Sequence, residues 1–252
     1  MKLQFLGTGT STGVPQLCCT CDVCNSSDSR DKRLRCSSLL TIDDKNILLD
    51  CSTDFRYQML RAQVRQIDAV LITHGHYDHT GGLDDLRPYC TYEAMPMYAE
   101  QRVIDDIRNR LPYCFMKNPY PGVPRFDTCA IEPLQPFVAA GVEVLPVRVM
   151  HYNLPIVGFR IGRLAYITDC LTMPDESKEQ LRDLDVLVIN ALRHTQHISH
   201  QTLSDALQLI EQLSPRRAYL IHMSHDMGLH REVSKLLPPN VQLAYDGMEI
   251  EI

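Results

Sequence analysis

The sequence has no apolar run approaching the length that spans a bilayer, so no membrane partner is expected. Its opening residues, Met1-Lys2-Leu3-Gln4-Phe5-Leu6, hold too short an apolar segment for a secretory signal before Gly7 interrupts it. A cytoplasmic location is therefore expected. Basic charge is not in excess: 25 Lys and Arg stand against 31 Asp and Glu, giving a formal net charge of −6. That balance supplies no global positive field, which argues against nucleic acid without excluding it. Low-complexity tracts, linkers and sequence repeats are also missing. The 252 residues, 44% hydrophobic and 22% charged, suit one globular domain over 1–252 with a substantial core.

Cysteine, by contrast, is plentiful. Four of the ten crowd into Cys18-Cys19-Thr20-Cys21-Asp22-Val23-Cys24. In a reducing compartment such spacing argues for a metal site rather than disulfides. Thiolates two and three residues apart can converge on one Zn²⁺ through a knuckle turn. The residues alone leave the register open, because Cys18 or Cys19 could lead the set with Cys21 and Cys24. A fourth ligand must come from elsewhere.

Along the chain, Lys2–Leu6 reads as a strand running into Gly7-Thr8-Gly9-Thr10-Ser11-Thr12-Gly13. This loop could offer N–H groups to a phosphate but lacks the lysine of a P-loop, and a tight turn of small residues is the simpler reading. Arg30, Lys32, Arg33 and Arg35 form a local basic patch, read as a solvated loop. Ser38–Ile42 and Asn46–Asp50 pair as a hairpin, and apolar spacing predicts a helix over Asp54–Gln66. Further helices are expected at Gly81–Arg87, Gln101–Leu111, Pro174–Leu181, Gln201–Leu213 and Met227–Leu236. Six prolines between 112 and 136 predict a surface loop that could overhang the active site. Asp246-Gly247 predicts a terminal hairpin joining Val241–Tyr245 to Met248–Ile252.

The chemistry concentrates in Thr73-His74-Gly75-His76-Tyr77-Asp78-His79, which follows the apolar run Ala69–Ile72. Three further apolar strands also stop at metal-capable residues: Val142–Met150 at His151, Leu164–Thr168 at Asp169, and Ala218–Ile221 at His222. In α/β folds, sites collect where strands end, so four such endings point to one shared site. Imidazole and carboxylate donors without thiolate suit catalytic Zn²⁺, Mn²⁺ or Fe²⁺. His74, His76 and His151 can hold one ion, Asp78, His79 and His222 a second, and Asp169 can bridge them. Such a pair acidifies water and polarises a phosphoryl oxygen. Asp50, also closing a strand, either hydrogen-bonds a ligand histidine or is an ordinary turn residue.

The HxHxDH segment, with His151, Asp169 and His222 downstream, resembles the metallo-β-lactamase superfamily over nearly the whole chain. That resemblance implies an α/β fold, an αβ/βα four-layer sandwich of two mixed sheets with metals at one edge. Within the superfamily the chain is most similar to the PhnP-like cyclic phosphodiesterase branch. There the resemblance implies a structural Zn²⁺ held by Cys19, Cys21, Cys24 and His225, in addition to two catalytic Mn²⁺ or Zn²⁺ ions. It also implies His200 as a proton donor beside Asp78, a small phosphodiester such as phosphoribosyl 1,2-cyclic phosphate as substrate, and a homodimer. His194 and His197 either line the substrate or lie on the surface, and His230 is assigned to the surface. Two alternatives stand: a tRNA 3′-processing endonuclease, for which no gripping arm is evident, and a non-hydrolytic metal-binding redox or biosynthesis protein.

Overall fold

A computed structural model describes all 252 residues. Two seven-stranded sheets stack face to face. The first has the spatial order β14-β1-β2-β3-β4-β5-β6. It comprises β1 (Lys2–Gly7), β2 (Ser37–Ile42), β3 (Lys45–Leu49), β4 (Ala69–Leu71), β5 (Met95–Ala99), β6 (Phe126–Ala130) and β14 (Glu249–Glu251). The second runs β13-β12-β11-β10-β9-β8-β7. Its strands are β7 (Phe137–Ala139), β8 (Val142–His151), β9 (Leu154–Ile161), β10 (Leu164–Tyr166), β11 (Val186–Asn190), β12 (Arg217–Ile221) and β13 (Val241–Leu243).

Helices cover the outer faces, completing the four layers expected. The α-helices are α1 (Asp22–Asn25), α2 (Phe55–Ala62), α3 (Tyr77–Thr80), α4 (Gln101–Arg110), α5 (Asp175–Glu179), α6 (Leu203–Leu213) and α7 (His230–Val233). Helix α4 buries Val103, Ile104 and Ile107 and leaves its charged residues outward, the pattern of a helix with one apolar face. Helix α6 begins at a capping box in which Thr202 and Asp205 each accept the other's backbone N–H, and it buries Leu203, Ala206, Leu209, Ile210 and Leu213. None of the helices is long and apolar enough to cross a membrane.

The central core lies between the sheets, where Phe5, Leu40 and Leu71 meet Phe159, Tyr166 and Val188. Two flanking cores fill the space between each sheet and its helices. Truncating a fully buried side chain such as Phe159 to alanine would cost about 3–5 kcal/mol. Strands β3, β4 and β5 run parallel, as do β10, β11 and β12. The C-terminal ends of both sets meet at one edge of the sandwich, which carries Asp50, His74, Asp169 and His222, because His79 beyond β4 lies 3.2 Å from Asp169 beyond β10.

The structure departs from the sequence expectations in four places. Val241–Leu243 and Glu249–Glu251 do not pair with each other. The former lies parallel to β12 and the latter antiparallel to β1, so the Asp246-Gly247 turn passes between sheets. The proline-rich stretch contains an edge strand, β6, that the prolines masked. Residues 227–236 form short turns of mixed helix type instead of one helix, broken at Gly228, whose φ is 95°. Residues 83–90 form a 3₁₀ segment with Pro88 inside it.

Candidate metal centre

The chain leaves β4 through buried Thr73 and places His74 and His76 ahead of the short helix α3, whose first turn carries Asp78 and His79. Asp50 and His222, each the first residue after its strand, and Asp169, three residues after β10, adopt positive φ of 59°, 56° and 54°. Left-handed backbone at a non-glycine residue costs energy and concentrates where side chains must be aimed. Here the sharp turns hold those side chains at the sheet edge.

The groups converge closely. His79 Nε2 lies 3.2 Å from Asp78 Oδ2 and 3.2 Å from Asp169 Oδ2. His222 Nε2 lies 3.3 Å from Asp169 Oδ1 and 3.5 Å from Asp78 Oδ2. His74 Nε2 is 3.1 Å from His76 Nδ1, and the rings of His76 and His151 are 5.1 Å apart. Three sets bring their ligand atoms within 4.8 Å of one another: His74–His79–Asp169, Asp78–His79–His222 and His151–Asp169–His200. Asp169 belongs to two of them, which suits a shared carboxylate.

Neighbouring groups fix which nitrogen faces the cleft. His79 Nδ1–H donates to Asp50 Oδ2 at 2.7 Å, and His151 Nδ1–H donates to the Ser199 carbonyl at 2.9 Å. His74 Nδ1–H reaches Thr73 Oγ1 at 2.9 Å, and that hydroxyl donates onward to Asp50 Oδ2 at 2.9 Å. Thr168 Oγ1 donates to Asp169 Oδ2 at 2.6 Å. Each imidazole held this way turns Nε2 inward as an acceptor, the state in which histidine binds a metal.

The donor set fits divalent cations. His79 Nε2, both ring nitrogens of His222 and His200 Nδ1 are buried without hydrogen-bond partners. Burying unpaired polar atoms is costly, and cations in the cleft would answer those that face its carboxylates, His79 Nε2 and His222 Nε2. Burial holds His74 well below the ordinary imidazole range, with the neighbouring His79 adding to the effect. For His79, burial opposes charging but is outweighed by Asp169, Asp78 and Asp50, which raise it well above that range. Asp78 and Asp169 resist burial through the adjacent histidines and stay ionised. Anionic carboxylates facing inward-turned imidazoles attract a proton onto His79, and a cation satisfies the same field.

His200 sits inside this cluster. Its ring is 4.6 Å from that of His151 and 4.9 Å from that of His222. Burial pushes it down to about 3. Helix α6 is capped by Thr202, so His200 has no capping duty. His197 lies next to it, with ring centroids 5.2 Å apart, and accepts the Ser199 N–H at Nδ1. His194 instead donates from Nε2 to the Met227 carbonyl. His230, expected on the surface, is buried between Leu243 and Ser234.

The cysteine cluster forms a separate site. Cys19, Cys21, Cys24 and His225 bring their ligand atoms within 4.8 Å of one another. His225 Nδ1 lies 3.6 Å from Cys19 Sγ and 3.3 Å from Cys21 Sγ. Cys18 is exposed and stands outside the set, which resolves the register. Hydrogen bonding from the Cys24 backbone N–H brings Cys21 down to about 6, while burial lifts Cys24 to about 11. A thiolate already favoured at neutral pH is a ready first ligand for a soft cation.

Two sequence features proved structural. The N–H groups of Thr8, Gly9 and Thr10 donate to Asp246 Oδ1, the Leu34 carbonyl and the Met223 carbonyl, so they are not free for phosphate. A Cβ on Gly7 would stand 2.0 Å from the Arg35 carbonyl oxygen, and close packing explains that glycine. Arg30 pairs with Asp28 and Arg35 with Asp54, whereas Arg33 is buried and donates to the Ser224 carbonyl. The basic patch is thus largely absorbed into the fold. Thr73 and Thr168, which orient the candidate ligands, carried no signal beyond adjacency to them.

A beta-lactamase superfamily domain model matches residues 45–223. Over 251 residues the chain is 48% identical to a Porphyromonas gingivalis (strain ATCC BAA-308 / W83) protein named octanoyltransferase. The match covers 99% of this chain but 51% of that protein, so the chain spans about half its length. Among solved structures, one described as a new diphosphatase from the PhnP family aligns with a TM-score of 0.92 and 38% identity, covering 99% of this chain and 96% of that one. Zn²⁺-bound PqqB from Methylobacterium extorquens aligns with a TM-score of 0.83 at 21% identity, covering all of both chains.

Proposed function

This chain belongs to the metallo-β-lactamase superfamily, in its PhnP-like branch, and from that premise we propose that it is a metal-dependent phosphodiesterase for a small, ribosyl 1,2-cyclic phosphate type of substrate. The observation that carries this reading is the convergence of His74, His76, Asp78, His79, His151, Asp169 and His222 on one cleft, with His200 among them. His74, His76 and His151 would hold one Mn²⁺ or Zn²⁺, Asp78, His79 and His222 the other, and Asp169 would span both. When bound, these ions supply Lewis acidity that polarises a phosphoryl oxygen and makes water nucleophilic at neutral pH. Cys19, Cys21, Cys24 and His225 would hold a structural Zn²⁺, stapling the N-terminal loop to the segment that follows His222.

The protein's own residues do the rest. Asp50, Thr73 and Ser199 fix the orientation of the ligand imidazoles before substrate arrives, so little reorganisation is needed at the moment of reaction. Phosphodiester cleavage expels an alkoxide, and His200 would hand it a proton. Burial keeps His200 neutral in the free protein, and the negative charge of a bound phosphodiester would favour its protonated form. We assign the whole of 1–252 to one hydrolase domain. Its ten free cysteines fit a reducing, cytoplasmic compartment, and a homodimer is the expected assembly.

A second reading has a specific observation behind it. The 38%-identical structure is that of a diphosphatase, and a phosphoanhydride presents the same tetrahedral phosphoryl centre to such a cleft. The name octanoyltransferase belongs to a protein about twice as long, and acyl transfer is not assigned to this chain. The test is turnover by metal-loaded protein on a ribosyl 1,2-cyclic phosphate, a nucleoside diphosphate, a thioester and a tRNA precursor. Selective opening of the cyclic ester supports the proposal. Exclusive cleavage of the diphosphate establishes the second reading, and cleavage of the tRNA precursor alone defeats both.

A further inference from the structure

The proline-rich stretch lines a cavity that none of the candidate metal ligands reaches. Residues 116–125 follow a 3₁₀ turn at Pro112–Phe115 and fold over the N-terminal ends of β5 and β6. The candidate metal ligands lie beyond the C-terminal ends of their strands, so this loop does not overhang them. It walls a cavity of about 700 Å³ that none of those ligands lines. That volume falls in the range of small-molecule sites.

The lining has a definite chemistry. Phe115, Tyr120 and Phe126 supply aromatic surface, and Lys117 and Arg125 supply positive charge, while no Asp or Glu takes part. The Phe115 and Phe126 rings stand 5.9 Å apart at 31°, with the Arg108 guanidinium 5.6 Å from the Phe115 centroid, which braces that wall from one side. Arg125 donates from Nη2 to the carbonyls of Cys90 at 3.2 Å and Thr91 at 3.5 Å, which orients the guanidinium without neutralising it. Lys117 and Arg125 make no ion pair with a carboxylate, and the cavity lining offers none. In a chain of net charge −6, two unneutralised cations in an acid-free aromatic cleft favour an anion with a flat apolar body.

We propose that this cavity is a second binding site, separate from the metal centre, for a small molecule that joins a planar ring to a phosphate-like anion, the chemistry of a mononucleotide. The ring would pack against the aromatic wall, and Arg125 and Lys117 would take the anion.

The experiment is calorimetric titration of the full, metal-loaded protein with adenosine 5′-monophosphate, adenosine and inorganic phosphate. One equivalent of the nucleotide should bind, with adenosine and phosphate each at least ~10-fold weaker, because each lacks half of the recognised chemistry. Lys117→Gln/Arg125→Gln should weaken the nucleotide at least ~10-fold and leave phosphodiester turnover unchanged. Asp78→Ala should leave nucleotide binding intact. Tyr120→Ala, on an exposed ring, tests the aromatic wall if the double variant does not fold, and should also weaken binding. Absence of binding up to roughly 1 mM overturns the proposal. So does binding that Asp78→Ala abolishes while the cavity variants retain it.

Discussion

Asp50 Oδ2 accepts the Nδ1–H of His79 at 2.7 Å, with both side chains fully buried. The same carboxylate accepts the Thr73 hydroxyl, which in turn accepts Nδ1–H of His74. One carboxylate thus orients two histidines of the cleft, one directly and one through a hydroxyl. Asp50→Ala is expected to weaken metal binding about 10–100-fold, the usual cost of losing such an orienting partner. Metal titration followed by elemental analysis checks it, and unchanged affinity would remove the orienting role.

His200→Ala is expected to keep its full metal complement while turnover falls roughly 10²–10⁴-fold on substrates with poor leaving groups. An activated aryl phosphodiester, whose leaving group needs no proton, should be much less affected. Equal losses on both classes would count against proton donation.

Cys21→Ser is expected to release one equivalent of Zn²⁺. A loss of about 2 kcal/mol, modest for a structural metal, would lower Tm by roughly 4–8 °C in a chain of this size. Zinc content and thermal melting measure the two effects together, and retention of all zinc would argue against the knuckle.

Asp246 links the exit of β1 to the C-terminal segment, accepting the N–H groups of Thr8 and Leu34. Burial outweighs those hydrogen bonds and lifts its carboxyl to about 6. Because the folded value lies above the unfolded one, its contribution to stability is complete below about pH 4 and lost as pH rises through about 6. Compared with Asp246→Asn, the unmodified protein should lose about 3 kcal/mol between pH 4 and 7. Denaturant melts across that range would show the divergence, and parallel curves would contradict it.

The cleft was legible in the sequence because each candidate ligand ends or follows a recognisable apolar strand, as His151 does at the end of β8. Asp50 was ambiguous because its partner His79 lies 29 residues away, and only folding brings them together. The C-terminal strands misled for a related reason. Asp246-Gly247 carries local hairpin chemistry, yet the Ala244 N–H pairs with Leu220 in one sheet and the Gly247 N–H with Phe5 in the other. Local turn preference yielded to two non-local edges. Strand β6 was hidden because its burial is partial and prolines precede it, so alternation gave no signal.

Metal-dependent phosphodiester hydrolysis in the histidine cleft is the proposal on which the assigned function depends. The most direct measurement is turnover of a ribosyl 1,2-cyclic phosphate by Asp78→Ala, with metal content and circular dichroism recorded on the same sample. An unchanged fold, loss of one catalytic metal equivalent and abolished turnover are expected of such a site. Undiminished turnover by the folded variant would contradict the proposal.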